Sequence, residues 1–228
     1  MKMTDPRRAF DLLQAGDADA LQRLLEEDPA VSEATDASGV SLLMHSIYRS
    51  RRDLAEAIAS RKKSLDIFEA AALGRLDRLT ACLGETRGRG DSINSYSKDG
   101  FTALHLACFF SQPEAARLLI DSGAVVDIVA ANPTRVMPLH SAASSRNLEA
   151  ARLLLEHGAP VNARQQGGWV SIHAAAQNGD RPMVELLLQH AANPSLANDG
   201  GKTPAIVARE AGHGEIAALL EKTRKLLI

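Results

Sequence analysis

"GFTALHLACFFSQPEAARLLIDSGAVVD", residues 100–127, is echoed by "VMPLHSAASSRNLEAARLLLEHGAPVN" at 136–162 and by "GWVSIHAAAQNGDRPMVELLLQHAANPS" at 168–195. A fourth copy, "GKTPAIVAREAGHGEIAALL", occupies 201–220. In each, two short segments with apolar residues at helical spacing are separated by a polar break. The residue following the first segment is Ser111, Arg146, Gly179 and Gly212, at steps of 35, 33 and 33. The same marker extends back to Gly74, Ser50 and Gly16, which makes seven units. Self-similarity at such a period signals a stacked array, because two short helices cannot cover their own apolar stripes and need neighbours to do it.

The copies resemble the ankyrin repeat: Leu104-His105, Pro138-Leu139-His140 and Ile172-His173 stand in its signature place, ahead of a leucine-rich second helix and a closing GAxVN-like turn. The resemblance spans nearly the whole chain and is closest in the last four units. It implies an all-α ankyrin-repeat solenoid of helix-turn-helix units with projecting β-turn or hairpin fingers. The expected organisation is a single domain over 1–228, with a capping unit at 1–35, repeats at 36–66, 67–96, 97–131, 132–164 and 165–197, and a second capping unit at 198–228. Asp5 before Pro6 is a good helix start. Leu226, Leu227 and Ile228 are expected to fold back onto the stack.

Departures from the period carry information. The step from Ser50 to Gly74 is only 24, so the finger between the second and third units is expected to be missing. The next step, 37, places its excess in "GETRGRGDS" (84–92), read as a Gly-rich flexible loop. The step of 35 lengthens the finger "AANPTRV" by two residues, and Pro133 is expected to stiffen it.

Composition agrees with packed helices. Of 228 residues 45% are hydrophobic but only 4% aromatic, a poor match to a β-sandwich. A formal charge of −2 gives no general attraction to phosphate backbones, so no nucleic acid is expected as partner. The opening "MKMTDPRRAF" lacks the apolar centre of a signal peptide and no apolar run is long enough to span a bilayer, so a cytoplasmic protein with no membrane partner is expected. Cys82 and Cys108 show no metal spacing and are read as reduced, buried thiols.

In the family resembled, finger tips and two neighbouring first-helix positions line a concave surface that binds proteins. On that frame Tyr48 with Arg49, and Phe109 with Phe110, occupy the paired helix positions. Val40, Phe101, Val136, Trp169 and Lys202 follow the finger turn, and Tyr96 lies where a finger begins. The resemblance therefore implies a partner-binding set of Tyr48, Arg49, Tyr96, Phe101, Phe109, Phe110, Arg135, Val136, Arg164 and Trp169. Phe101, Phe109, Phe110 and Tyr96 are expected to cluster, with Phe110 and Tyr48 favoured for partner contact over packing, while Phe10 and Phe68 fill the cores of incomplete units.

Several motifs look chemical. His105, His140 and His173 take the signature role of bonding the turn; His157 and His190 end second helices, His213 follows Gly212, and His45 is unassigned. "GGKT" at 200–203 lacks the earlier glycine of a phosphate loop, since residue 196 is Leu. "RGD" at 89–91 is read as a loop of small residues. The basic run 49–63 faces an acidic first unit, which suggests neighbour complementarity. No metal, cofactor or catalytic residue is expected. The leading reading is a monomeric, non-enzymatic module that binds another protein; the alternative is an enzyme or small-ligand binder with a pocket near His105 and Cys108, and a third reading is a self-associating spacer.

Overall fold

The computed structural model describes residues 5–89 and 93–226, the side chains of 86–89 excepted. Among the described residues the fold is all-α, with fourteen α-helices, no strand, and one isolated antiparallel bridge between Thr35 and Ser41. Two compact units divide at residue 70.

The first unit contains α1 (Pro6–Ala15), α2 (Ala18–Glu27), α3 (Leu42–Tyr48), α4 (Arg52–Ala59) and the start of α5 (Ile67–Leu73), with a 3₁₀ turn at Pro29–Glu33. Asp5 caps α1 by accepting from the Arg7 amide at 3.0 Å, with Pro6 in the first turn as the sequence suggests. α1 packs on α3, and α2 on α4. Basic and acidic segments meet here: Arg61 approaches Glu26 at 3.9 Å, and Arg51 donates to the Gly16 carbonyl.

The second unit continues with α6 (Leu76–Arg89), α7 (Ala103–Phe109), α8 (Pro113–Asp121), α9 (Pro138–Ser144), α10 (Leu148–Glu156), α11 (Ser171–Gln177), α12 (Arg181–Gln189), α13 (Pro204–Glu210) and α14 (Gly214–Leu226). First helices pack in order, α7 on α9, α9 on α11, α11 on α13, and second helices likewise from α6 through α12. Small residues permit the close approach: Ala107, Ala142, Ala143, Ala175 and Ala176 are fully buried, and Leu104, Leu119, Leu139, Leu154 and Leu187 fill the spaces between.

All seven marker residues, Gly16, Ser50, Gly74, Ser111, Arg146, Gly179 and Gly212, have left-handed backbone. That conformation turns the chain from first to second helix. After Gly16, Ser50, Ser111, Arg146, Gly179 and Gly212 the following amide reaches back to close the first helix, as in Gln112 to Ala107 and Asn147 to Ala142, both 2.9 Å. Serine and arginine accept a conformational cost of about 1 kcal/mol or more there that glycine avoids.

As the short step requires, α4 and α5 are joined without a finger. A polar clasp stands in its place. Glu69, 1% exposed, accepts from the Ser41 hydroxyl at 2.6 Å and from the Asp66 amide at 3.2 Å, and pairs with Lys62 at 3.2 Å. Lys62 also reaches Glu33 at 3.3 Å, and Glu33 accepts from the Lys63 amide.

Three expectations need correction. The segment read as a loop from Gly84 is helical as far as Arg89, because α6 is already anchored by Leu79, Cys82 and Leu83 and propagates through Gly84 at a cost of only about 1 kcal/mol. Residues 90–92, and with them most of the RGD tripeptide, lie outside the described residues. Leu226 does not fold back: it is 77% exposed at the end of an α14 extended by helix-forming Glu221 to Lys225, and Leu227 and Ile228 lie outside the described residues. Phe10 and Phe68 are half-buried, since Ala9 with Leu13, and Ala70 to Ala72, take the inward places of α1 and α5. The Phe10 ring stands edge-on to His45 at 5.2 Å.

Removing Glu69 takes the buried carboxylate from Lys62 and the Ser41 hydroxyl and leaves Lys62 only the more exposed Glu33. Glu69→Ala is expected to lose about 3–5 kcal/mol of stability by urea unfolding, and the double change Lys62→Met with Glu69→Leu to recover most of it.

Candidate protein-interaction surface

Each finger is a short turn closed on itself. The Ser97 amide donates to the Phe101 carbonyl at 2.8 Å and the Gly100 amide to Ser97 at 3.0 Å; Asp36 with Val40, Gln165 with Trp169 and Asn198 with Lys202 repeat the first bond. In the second unit neighbouring tips are joined by backbone: Ala131 to Gly100 at 2.8 Å, Gln166 to Thr134 at 3.0 Å and Asp199 to Gly167 at 2.9 Å. A Cβ on Gly100 would lie 2.9 Å from the Ala131 carbonyl carbon, so this contact demands glycine.

The signature histidines tie the fingers to the helices. His140 Nδ1 accepts from the Met137 amide at 3.0 Å while Nε2 donates to the Ala163 carbonyl at 2.9 Å. His173 likewise takes the Val170 amide at 3.2 Å and gives to Lys202 at 3.0 Å. His105 Nδ1 meets the Thr102 hydroxyl at 2.8 Å and amide at 3.3 Å, and Nε2 donates to Val136 at 3.0 Å. Every ring therefore holds its own helix start with one nitrogen and, with the other, a carbonyl at or just before the following finger. In the last repeat Ile206 stands in the histidine place and is exposed.

At the ends of the first helices the paired positions divide their work. The leading member, Phe109, Ser144, Gln177 or Glu210, is exposed in all four repeats that end the chain. In the two middle repeats the following member turns inward: Ser145 donates to the Cys108 carbonyl at 2.9 Å, and Asn178 to Ala143 and Ser144 at 3.3 and 3.1 Å, while Ala211 in the last repeat is exposed. Phe110 occupies that inward place and is half-buried, its ring edge-on to Phe109 at 5.1 Å. Phe109, 46% exposed, is thus the outward ring of the pair.

The remaining site residues are placed by different elements. Phe101 and Trp169 are half-buried with their rings against His105 and His173, at 6.0 and 5.4 Å, and cover the polar ties. Val136 is half-buried and supplies the carbonyl for His105. Tyr96 is exposed, with its hydroxyl donating to the Val129 carbonyl at 2.9 Å. Arg164 is exposed and leans on Asp199 at 3.9 Å, while Arg135 is exposed at a finger tip. In the first unit Tyr48 and Arg49 are exposed at the end of α3. Sequence reasoning missed the cross-repeat role of Ser145, Asn147 and Asn178; polar residues recurring beside the markers are the signal that could have found it.

The family model described as ankyrin repeats (3 copies) matches residues 67–165 and 161–226. The chain belongs to the ankyrin-repeat family. No curated protein matches it. Ankyrin repeats are generally protein–protein interaction modules and typically non-enzymatic. No helix among the described residues is long and apolar enough to cross a membrane. α1 to α4 lie outside the matched range, yet they form helix pairs about the same left-handed markers, Gly16 and Ser50, as the matched ankyrin repeats.

Electrostatics within these ankyrin repeats follow from burial. Burial lowers the His105 pKa to about 4, only partly opposed by the Val136 bond, and lowers His140 and His173 for the same reason. Neutral rings are what the ties require, since a protonated Nδ1 could not accept. Burial pushes the Cys108 thiol far up, and the neighbouring His105 has both nitrogens engaged, so the pair lacks an activated nucleophile. His45 pairs with Asp36 at 2.7 Å; the Ser38 hydroxyl foremost, with His45 and nearby amides, holds Asp36 well below the usual carboxylate range.

Folded histidines bind protons more weakly than unfolded ones, so their contribution is complete above pH 6.5 and is lost as pH falls toward about 4, where His105 titrates. The unfolding free energy from urea titration is expected to fall steadily from about pH 6.5 to about pH 5, by at most about 1.4 kcal/mol per pH unit for each ring. His105→Gln should flatten that slope.

Proposed function

We propose that this ankyrin-repeat protein is a non-enzymatic cytoplasmic monomer that binds a partner protein through its finger tips and the exposed ends of its first helices, as an adaptor, scaffold or inhibitor. The observation that carries this reading is Phe109. Ser144, Gln177 and Glu210 hold the equivalent outward place in the next repeats, and a large ring there serves no packing need that those residues must also meet. An exposed ring braced edge-on by a second ring loses little freedom when covered, which suits it to the centre of an interface.

Tyr48, Arg49, Tyr96, Arg135 and Arg164 are the further contact residues proposed, being exposed at helix ends and finger tips. Phe101, Phe110, Val136 and Trp169 support them from half-buried places. A protein partner is favoured over nucleic acid by the formal charge of −2, and free, buried cysteines fit a reducing compartment.

Affinity capture with wild type and Phe109→Ala as baits tests the reading. The variant is expected to lose specifically captured partners while keeping its unfolding free energy within about 1 kcal/mol of wild type, against a loss of about 2–5 kcal/mol for the core change Leu154→Ala. Unchanged capture, or a stability loss at Phe109 matching that at Leu154, would return the ring to a structural role.

A further inference from the structure

Five finger turns share one left-handed position, and four of them fill it with glycine: Gly39, Gly100, Gly168 and Gly201, at φ between 71° and 88°. The fifth is Arg135, at φ 51°. Its amide makes the same turn bond, to Asn132, that Gly100 makes to Ser97 and Gly201 to Asn198. The turn therefore has no need of a side chain, and one is carried against the backbone's preference.

Other residues with side chains occupy left-handed places in this chain. Ser50, Ser111 and Ala191 are small, and Arg146, the other arginine, gives its guanidinium to the Asn178 carbonyl in the next repeat. Arg135 differs from Arg146 in having no intramolecular acceptor among the described residues: its side chain is exposed on the finger lengthened by two residues. The other finger cations nearby are engaged, Arg164 with Asp199 and Lys202 with Glu210 at 2.6 Å. Lys98 is exposed on the adjoining tip, which the Asn132 side chain joins through the Asp99 carbonyl at 2.8 Å. The carboxylate of Asp99 is taken by the Ser97 hydroxyl at 2.5 Å.

Geometry links this tip to the exposed ring. Arg135 directly precedes the carbonyl that His105 holds, and Phe109 lies one helical turn beyond His105 on α7. We propose that Arg135 is a specificity-determining residue and that the partner presents an acidic segment, its carboxylate received by the Arg135 guanidinium with Lys98 beside it and an adjacent apolar side chain set on Phe109. A guanidinium offers a planar fork for a carboxylate, and the basic tips stand out on a chain whose formal charge is −2. The assignment rests on the proposed protein-binding surface and names the chemistry that surface selects.

Three pools of fluorescent 12-residue peptides test it, each with one central leucine or phenylalanine flanked by Asp and Glu, by Asn and Gln, or by Lys and Arg. The full-length protein is expected to prefer the acidic pool, with affinity falling as salt rises from 50 to 500 mM. Arg135→Gly should weaken acidic binding about tenfold or more, Arg135→Lys less, and neither should lower the melting temperature. Equal acidic binding by Arg135→Gly, or preference for the neutral or basic pool, overturns the assignment. Binding that Phe109→Ala abolishes while Arg135→Gly leaves intact would sink the acidic partner alone and keep the protein-binding surface; no binding of any pool by wild type would count against both. A lower melting temperature for Arg135→Gly would make the arginine structural.

Discussion

A neutral imidazole held between two backbones sets the geometry of the second unit. His105, His140 and His173 each accept at the start of their own helix and donate to a carbonyl at or just before the following finger. Apolar burial alone would let one helix pair slide over the next, because alanine-lined faces have little relief. The directional bonds fix the register, and the joined finger tips repeat that fixing at the outer edge. Residues with no structural duty can then be presented at set intervals.

The clasp in the first unit solves a related problem by other means. Where the finger is missing there is no following turn for a signature histidine of the preceding repeat to reach, and Met44 stands in its place. Glu69 and Lys62 supply directional contact instead, with Ser41 and Glu33 completing their coordination. A buried pair of this kind contributes specificity of arrangement more than net stability.

Much of this was legible in the sequence. The marker residues located every change of direction, including those at serine and arginine, because a helix reversal needs left-handed backbone whatever residue supplies it. The missing finger followed from the short step, and the histidines from their signature place. Periodicity favours Phe110 as the ring left free for a partner, whereas Phe109 is the more exposed of the two. Phe109 and Phe110 differ by 100° about α7, and only the contacts made by Ser145 and Asn178 show that the second place turns toward the preceding repeat. The same limit explains Phe101 and Trp169, whose rings cover the histidine ties, and the Gly84 segment, where local propensity argued for a loop but an anchored helix carried on. Leu226 shows the converse: apolarity at a helix end does not by itself bend the helix back.

Imidazole nitrogen shifts, recorded by long-range proton–nitrogen correlation NMR on the folded protein at pH 6, examine the ties most directly. His105, His140 and His173 should each show a proton on Nε2 and a bare, accepting Nδ1, and should remain neutral there. Three rings that titrate together near pH 6.5, or that carry their proton on Nδ1, would mean that the repeats are held in register by something else.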